Sequence, residues 1–289
     1  MKKILILVVL ILIVGCKHTN TGTTIPVTFN FACDMSLTYT PRAVPIVSVG
    51  AGTPTTTIIA LHGKSGTPTK AHMQLLAEDL SAKGYNVVMP YLPWTGLQWD
   101  GSLCDSMSYI NSLVKAEQDK GNSVVLAGHS MAGPTILSYA ALENTTKPDA
   151  LLILAPGHFV PNSSVLAGMH ASSIQRAKDM IKAGQEDTVA TFQTSDYNIS
   201  ATPKNYLSFH DTQQLPDQYP DLIASISRNS LPTLWLAGQD DSLTVIVKNL
   251  GFIDQANNNP NYTYKEVLGD HYSMVGNATD ALDPWYRGL

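Results

Sequence analysis

The chain has 289 residues and a formal charge of −5, and 44% of its residues are hydrophobic, enough for a sizeable core in one large α/β domain or two small ones. Apart from Lys2-Lys3 it carries no basic run, so the electrostatic footprint of nucleic-acid binding is missing and that class of partner is excluded. No repeat with a period of roughly 20–50 residues is visible, which excludes a solenoid or propeller.

At the N-terminus two lysines precede an unbroken apolar run from Ile4 to Val14. The run is about half the roughly 20 residues that a membrane-spanning helix needs, and it reads as a secretory leader over residues 1–15. Its end, Ile13-Val14-Gly15-Cys16, resembles the lipobox of bacterial lipoproteins. That resemblance implies cleavage before Cys16, acylation of the cysteine, and an exported protein whose membrane partner is reached through a lipid anchor, facing the periplasm or the cell surface. Residues 16–24, polar and Thr-rich, then form a tether. Loss of Lys2 and Lys3 leaves 16 Lys and Arg against 23 Asp and Glu, a net charge of −7. In an oxidising compartment Cys33 and Cys104 are free either to pair or to stay as two buried thiols.

From Thr57 onward short apolar runs alternate with helical patterns. "TIIAL" (57–61) is followed by Met73, Leu76 and Leu80 at helical spacing, stopped by Gly84; "YNVVM" (85–89) is followed by Leu103, Met107, Ile110 and Val114, stopped by Gly121. The third unit is "SVVLA" (123–127) with a helix starting near Ser130, and "ALLILA" (150–155), "TLWLAG" (233–238) and "YKEVL" (264–268) complete the series. Continuous apolar strands separated by helices predict a parallel sheet covered on both faces. Between His158 and Asn229 the alternation breaks off, and the amphipathic "SSIQRAKDMIKAG" (172–184) predicts an inserted cap or lid with helices of its own over 158–229. Tyr197, Tyr206, Phe209 and His210 either line a pocket beneath it or pack its small core.

Acyl transfer by serine needs a hydroxyl, a base, a group to orient the base, and donors for the oxyanion. Ser130 lies directly between the strand "VVLAG" and the helix "MAGPTILSYAAL", where a tight turn would push its hydroxyl above the carboxyl end of the sheet. Gly128, Ala132 and Gly133 leave room for such a turn, and Pro134 suits a first helical turn. The amide of Met131 is one candidate donor. "IIALHGKSG" (58–66) offers the second at Lys64, with Gly63 and Ser65 as neighbours. A phosphate-loop reading of "GKS" fails, because Ile58 stands where the motif requires glycine. "TLWLAGQDDSLT" places Asp240 and Asp241 just past a strand, and "YKEVLGDHYSM" places His271 past the last one.

"GHSMAG", "LHGKSG", "LAGQDDSLT" and "GDHYSM" together resemble the nucleophile elbow, oxyanion loop, acid loop and histidine loop of the α/β-hydrolase family. The resemblance implies an α/β-hydrolase fold with a mostly parallel eight-stranded sheet flanked by helices, its first antiparallel strands from about Ile25 to Val49, and a helical cap inserted after the sixth family strand. The core would comprise residues 25–157 and 230–289. A Ser130–Asp241–His271 triad follows, since family acids commonly stand at G-x-x-D, with Met131 and Lys64 as oxyanion donors and His62 and His129 as structural residues. Ala132 departs from the glycine of the usual motif, although alanine and serine variants of the elbow occur in the family. His158, His170 and His210 show no metal-ligand spacing, so neither a metal nor another cofactor is expected. The implied activity is hydrolysis of a small-molecule carboxylic ester of esterase or lipase type through an acyl-enzyme on Ser130. A peptidase or amidase on the same triad and a catalytically silent surface binding protein are the alternatives.

Overall fold

In the computed structural model the described residues are 29, 31–50, 55–159, 168–195, 197–211 and 221–289; the expected leader, Cys16 and the expected tether lie outside them. Strands β1 (Ile46–Ser48), β2 (Thr56–Leu61), β3 (Asn86–Met89), β4 (Gln98–Trp99), β5 (Ser123–His129) and β6 (Ala150–Leu154) precede the insert. Within the insert lie β7 (Ala190–Gln193) and β8 (Asn198–Ala201), and β9 (Thr233–Gly238) and β10 (Tyr262–Val267) follow it. Among the described residues the main sheet has seven strands in the order β1-β3-β2-β5-β6-β9-β10. Only β1 runs antiparallel to its neighbour; the other pairs are parallel. The further antiparallel strand expected between Ile25 and Val49 falls partly on residues outside the described set.

The apolar runs form this sheet because both of its faces are buried. Along β2, Ile58 and Ala60 join one core cluster with Met73, Leu76 and Leu80 of helix α1 (Ala71–Ala82), while Ile59 and Leu61 join the other with Met107, Ile110 and Val114 of α2 (Leu103–Gln118). Each such side chain removed from water contributes about 1.5–3 kcal/mol before entropy is counted. A capping box fixes the start of α2. Ser102 Oγ accepts from the Asp105 amide at 3.1 Å, and the Asp105 carboxylate accepts from the Ser102 amide at 2.7 Å. Helix α3 (Ala132–Ala141) follows β5 and is buried along its whole length.

Among the described residues the insert contains the amphipathic helix expected from its spacing, α4 (Ala171–Lys182), and the helices α5 (Pro203–His210) and α6 (Leu222–Arg228). It also contains a β7–β8 hairpin, and β8 pairs in parallel with β4, so a second, three-stranded sheet of order β4-β8-β7 joins insert and core. After the insert come α7 (Ser242–Asn249), α8 (Phe252–Asn257) and α9 (Ala278–Tyr286). Cys33 and Cys104 form a disulfide with their α-carbons 5.2 Å apart, tying the irregular N-terminal segment to the start of α2. No helix among the described residues is long and apolar enough to cross a membrane.

Candidate active site

Ser130 follows β5 with φ of 56°, a left-handed conformation that an L-residue adopts only when its surroundings demand it. Those surroundings are specific. The Ser130 amide donates to the Leu154 carbonyl at the end of β6 (2.9 Å), and the Ser130 carbonyl accepts from the amides of Gly133 (2.9 Å) and Gly157 (3.1 Å). A methyl group on Gly128 would lie 2.5 Å from the Ala132 carbonyl oxygen, so the turn closes only with glycine there. Ala132 itself is fully buried in the same turn, and its methyl group fits.

Two loops later in the chain, one after β9 and one after β10, bring Asp241 and His271 to this serine. The Ser130 hydroxyl donates to His271 Nε2 at 2.9 Å, and His271 Nδ1–H donates to Asp241 Oδ2 at 2.8 Å. Asp241 is buried and caps α7, its Oδ1 accepting from the Leu243 amide at 2.9 Å, whereas the neighbouring Asp240 side chain is exposed. The two aspartates that the sequence leaves as alternatives are thus separated by the turn out of β9: only Asp241 reaches the imidazole. That turn packs tightly on the loop carrying His271. A methyl group on Gly238 would lie 2.5 Å from the Gly269 carbonyl oxygen, and Gly269 has φ of 115°. Asp270 braces the same loop: hydrogen bonds from the amide and hydroxyl of Ser273 and the amide of Tyr272 hold its carboxyl down at about 2.

Two further histidines hold the main chain around the site. His129 Nε2–H donates to the His271 carbonyl at 2.8 Å, so the residue before Ser130 fixes the backbone of His271. His62 Nδ1–H donates to the Gly63 carbonyl at 2.9 Å, leaving its Nε2 to accept from the Thr95 hydroxyl at 2.8 Å. Burial pushes His62 down to about 4 and His129 well below the ordinary histidine value, so both rings are neutral at pH 7. Gly63 packs against Ser130 so closely that a methyl on it would lie 2.7 Å from Ser130 Cβ. The next residue is Lys64, and on the other side of Ser130, Met131 stands at the N-terminus of α3. The two amides proposed from the sequence as oxyanion donors therefore belong to residues flanking the serine from two directions.

A cavity of about 800 Å³ opens over Ser130, bounded among others by Lys64, His72, Phe159, His170, Tyr197 and Tyr272. Of the four insert residues singled out in the sequence, Tyr197 lines this cavity. Tyr206, Phe209 and His210 are fully buried, with Tyr206 stacked between Phe192 (4.6 Å) and His210 (4.3 Å). His72, His158, His170 and Tyr272 also line it and were not singled out as pocket residues by the sequence. His72 and Tyr272 carry no motif of their own; their signal is only a place in the first turn of α1 and a place next to His271. Among the described residues no group of three or more His, Cys, Asp or Glu side chains is arranged to hold a metal ion.

No family model and no curated protein matches the sequence. Solved structures do match the fold. Est1E from Butyrivibrio proteoclasticus is 16% identical with a TM-score of 0.58, the match covering 84% of this chain and 92% of that one. MenH from S. aureus is 18% identical with a TM-score of 0.57, covering 86% and 97%. The alpha/beta hydrolase GrgF from Penicillium sp. sh18 is 11% identical with a TM-score of 0.61, covering 84% and 91%. With its mostly parallel sheet, helices on both faces and a serine on the turn after β5, the chain has the α/β-hydrolase fold.

Proposed function

We propose that the protein is a serine hydrolase of carboxylic esters. The observation that supports this reading is the continuous chain of hydrogen bonds from the Ser130 hydroxyl through His271 to the buried Asp241, at the floor of an open cavity. His271 takes the Ser130 proton as Oγ attacks the ester carbonyl, and Asp241 holds the imidazole in the required tautomer and stabilises the imidazolium. The tetrahedral oxyanion is received by the amides of Met131 and Lys64. His271 then protonates the departing alcohol. Water, deprotonated by the same histidine, attacks the acyl-enzyme and releases the acid. Neighbours in fold are consistent with ester chemistry: Est1E has been solved with ferulic acid bound, and LipS and LipT are described as lipolytic enzymes. The leader and Cys16 support a place for this hydrolase at the bacterial cell envelope, tethered through residues 16–24.

The test is labelling with a fluorophosphonate alongside turnover of p-nitrophenyl esters of increasing chain length. Wild type is expected to be labelled and to hydrolyse at least the short esters. Ser130→Ala should lose labelling and at least about 10⁴-fold in kcat, and Asp241→Asn roughly 10³–10⁴-fold. A folded wild type that turns over no ester, or a Ser130→Ala variant labelled as fast as wild type, overturns the reading.

A further inference from the structure

We infer that the insert acts on the reaction through the loop after β2, with Tyr197 as a positioning residue for the main chain at Lys64; the inference rests on the ester-hydrolase reading above. Gly63 to Gly66 form a turn closed by the Gly66 amide on the Gly63 carbonyl at 3.0 Å. Its third residue, Ser65, has φ of 52°, while Lys64 is not among the non-glycine residues of positive φ, which is the type II pattern. That pattern calls for glycine at the third place, where an L side chain crowds the backbone. With serine there, the turn by itself favours type I, in which the peptide between Lys64 and Ser65 is turned over.

Two side chains hold the less favoured form. The Tyr197 hydroxyl donates to the Lys64 carbonyl at 3.0 Å, and Trp99 Nε1–H donates to Ser65 Oγ at 3.1 Å. Trp99 lies in β4 and Tyr197 immediately before β8, so one belongs to the small sheet that joins insert and core and the other borders it. The insert grips Lys64 a second time through its side chain, with Nζ donating to Ser195 Oγ at 2.7 Å and lying 5.5 Å from the centre of the Tyr197 ring. The consequence is electrostatic. The Gly63 carbonyl is held by Gly66 and His62, and the Lys64 carbonyl by Tyr197, in a loop that touches Ser130. Held by these donors, neither carbonyl is free to turn its negative end on a developing oxyanion. Once the Tyr197 hydroxyl is gone, the Lys64–Ser65 peptide turns over and an acceptor moves where donors are needed.

Tyr197→Phe keeps the ring and removes only the donor. It should lower kcat about tenfold, with KM within about twofold and the thermal midpoint nearly unchanged. Adding Ser65→Gly removes the bias against positive φ and should restore most of that loss, which relief of a mere packing defect at Tyr197 would not do. A crystal structure of Tyr197→Phe should show Ser65 at negative φ in place of 52°. Wild-type kcat in Tyr197→Phe, a loss that Ser65→Gly does not repair, or an unaltered Ser65 in the crystal overturns the inference. If instead wild type neither turns over esters nor is labelled at Ser130, the ester-hydrolase reading fails, while the crystal structure still decides whether Tyr197 holds the turn.

Discussion

Gly128 and Ala132 exchange importance between sequence and structure. In the motif, Ala132 is the irregular residue, standing where glycine is usual. In space, Ala132 is accommodated, and the contact without slack is at Gly128, where an added methyl would meet the Ala132 carbonyl oxygen at 2.5 Å and its carbon at 2.6 Å. Both are backbone atoms and cannot swing aside. Gly128→Ala is therefore expected to open the elbow, lowering stability by about 1–3 kcal/mol and kcat/KM by at least tenfold, as read from denaturant midpoints and ester turnover. Ala132→Gly should keep its activity and cost no more than about 1 kcal/mol from the greater freedom of glycine in a helix. The loops that bring Ser130, Asp241 and His271 together were legible because each is a short-range pattern at a strand end. The choice between Asp240 and Asp241 was not settled by the residues alone, since it depends on which side chain turns inward to cap α7. His72, His158, His170 and Tyr272 are not legible as pocket residues for a different reason: tertiary folding brings them to the cavity.

Among the elements, β2, β3, β6 and β9 were readable because each is a run of four to six residues that are all, or all but the first, buried, which no amphipathic surface helix produces. The β7–β8 hairpin gave no such signal. Each strand has four residues, and only Phe192 in one and Ile199 and Ala201 in the other are buried, too few for a period of two to stand out. The segment before β1 was equally opaque. Phe31 and Cys33 are buried although residues 31–45 form no helix or strand, and side chains elsewhere satisfy its carbonyls: Asn144 Nδ2 donates to Cys33 O at 3.1 Å, and Ser108 Oγ to Met35 O at 3.1 Å. With so little regular structure, this segment depends on the Cys33–Cys104 bond, which spans 71 residues. A Cys33→Ala/Cys104→Ala variant, or wild type under reductant, should lose about 2–5 kcal/mol of stability in denaturant titrations, with ester turnover retained under native conditions.

For the molecule as a whole, buried histidines set the response to acid. His62, His129 and His210 are almost completely buried, and burial lowers all three from an ordinary value of 6.5, His62 to about 4. Between about pH 6.5 and 4 the unfolded chain takes up protons at these positions and the folded chain does not, so this contribution to stability is complete above pH 6.5 and is lost as the pH falls toward 4. Asp270, held at about 2, favours the folded state above its ordinary value of 3.8 and loses that effect only at lower pH, so it does not disturb the window. Denaturant midpoints should accordingly decline from pH 7 to pH 4.5, and a flat profile over that range would contradict the burial of neutral imidazoles. The pairing of β4 with β8 bears on how such a protein can be rebuilt. Because Gln98 and Trp99 register with Ser200 and Ala201, the stretch 158–229 is not a self-contained cassette. An exchange of inserts between relatives of this fold would have to carry the two residues of β4 along with it, so the transplantable unit is discontinuous in the gene although continuous in space.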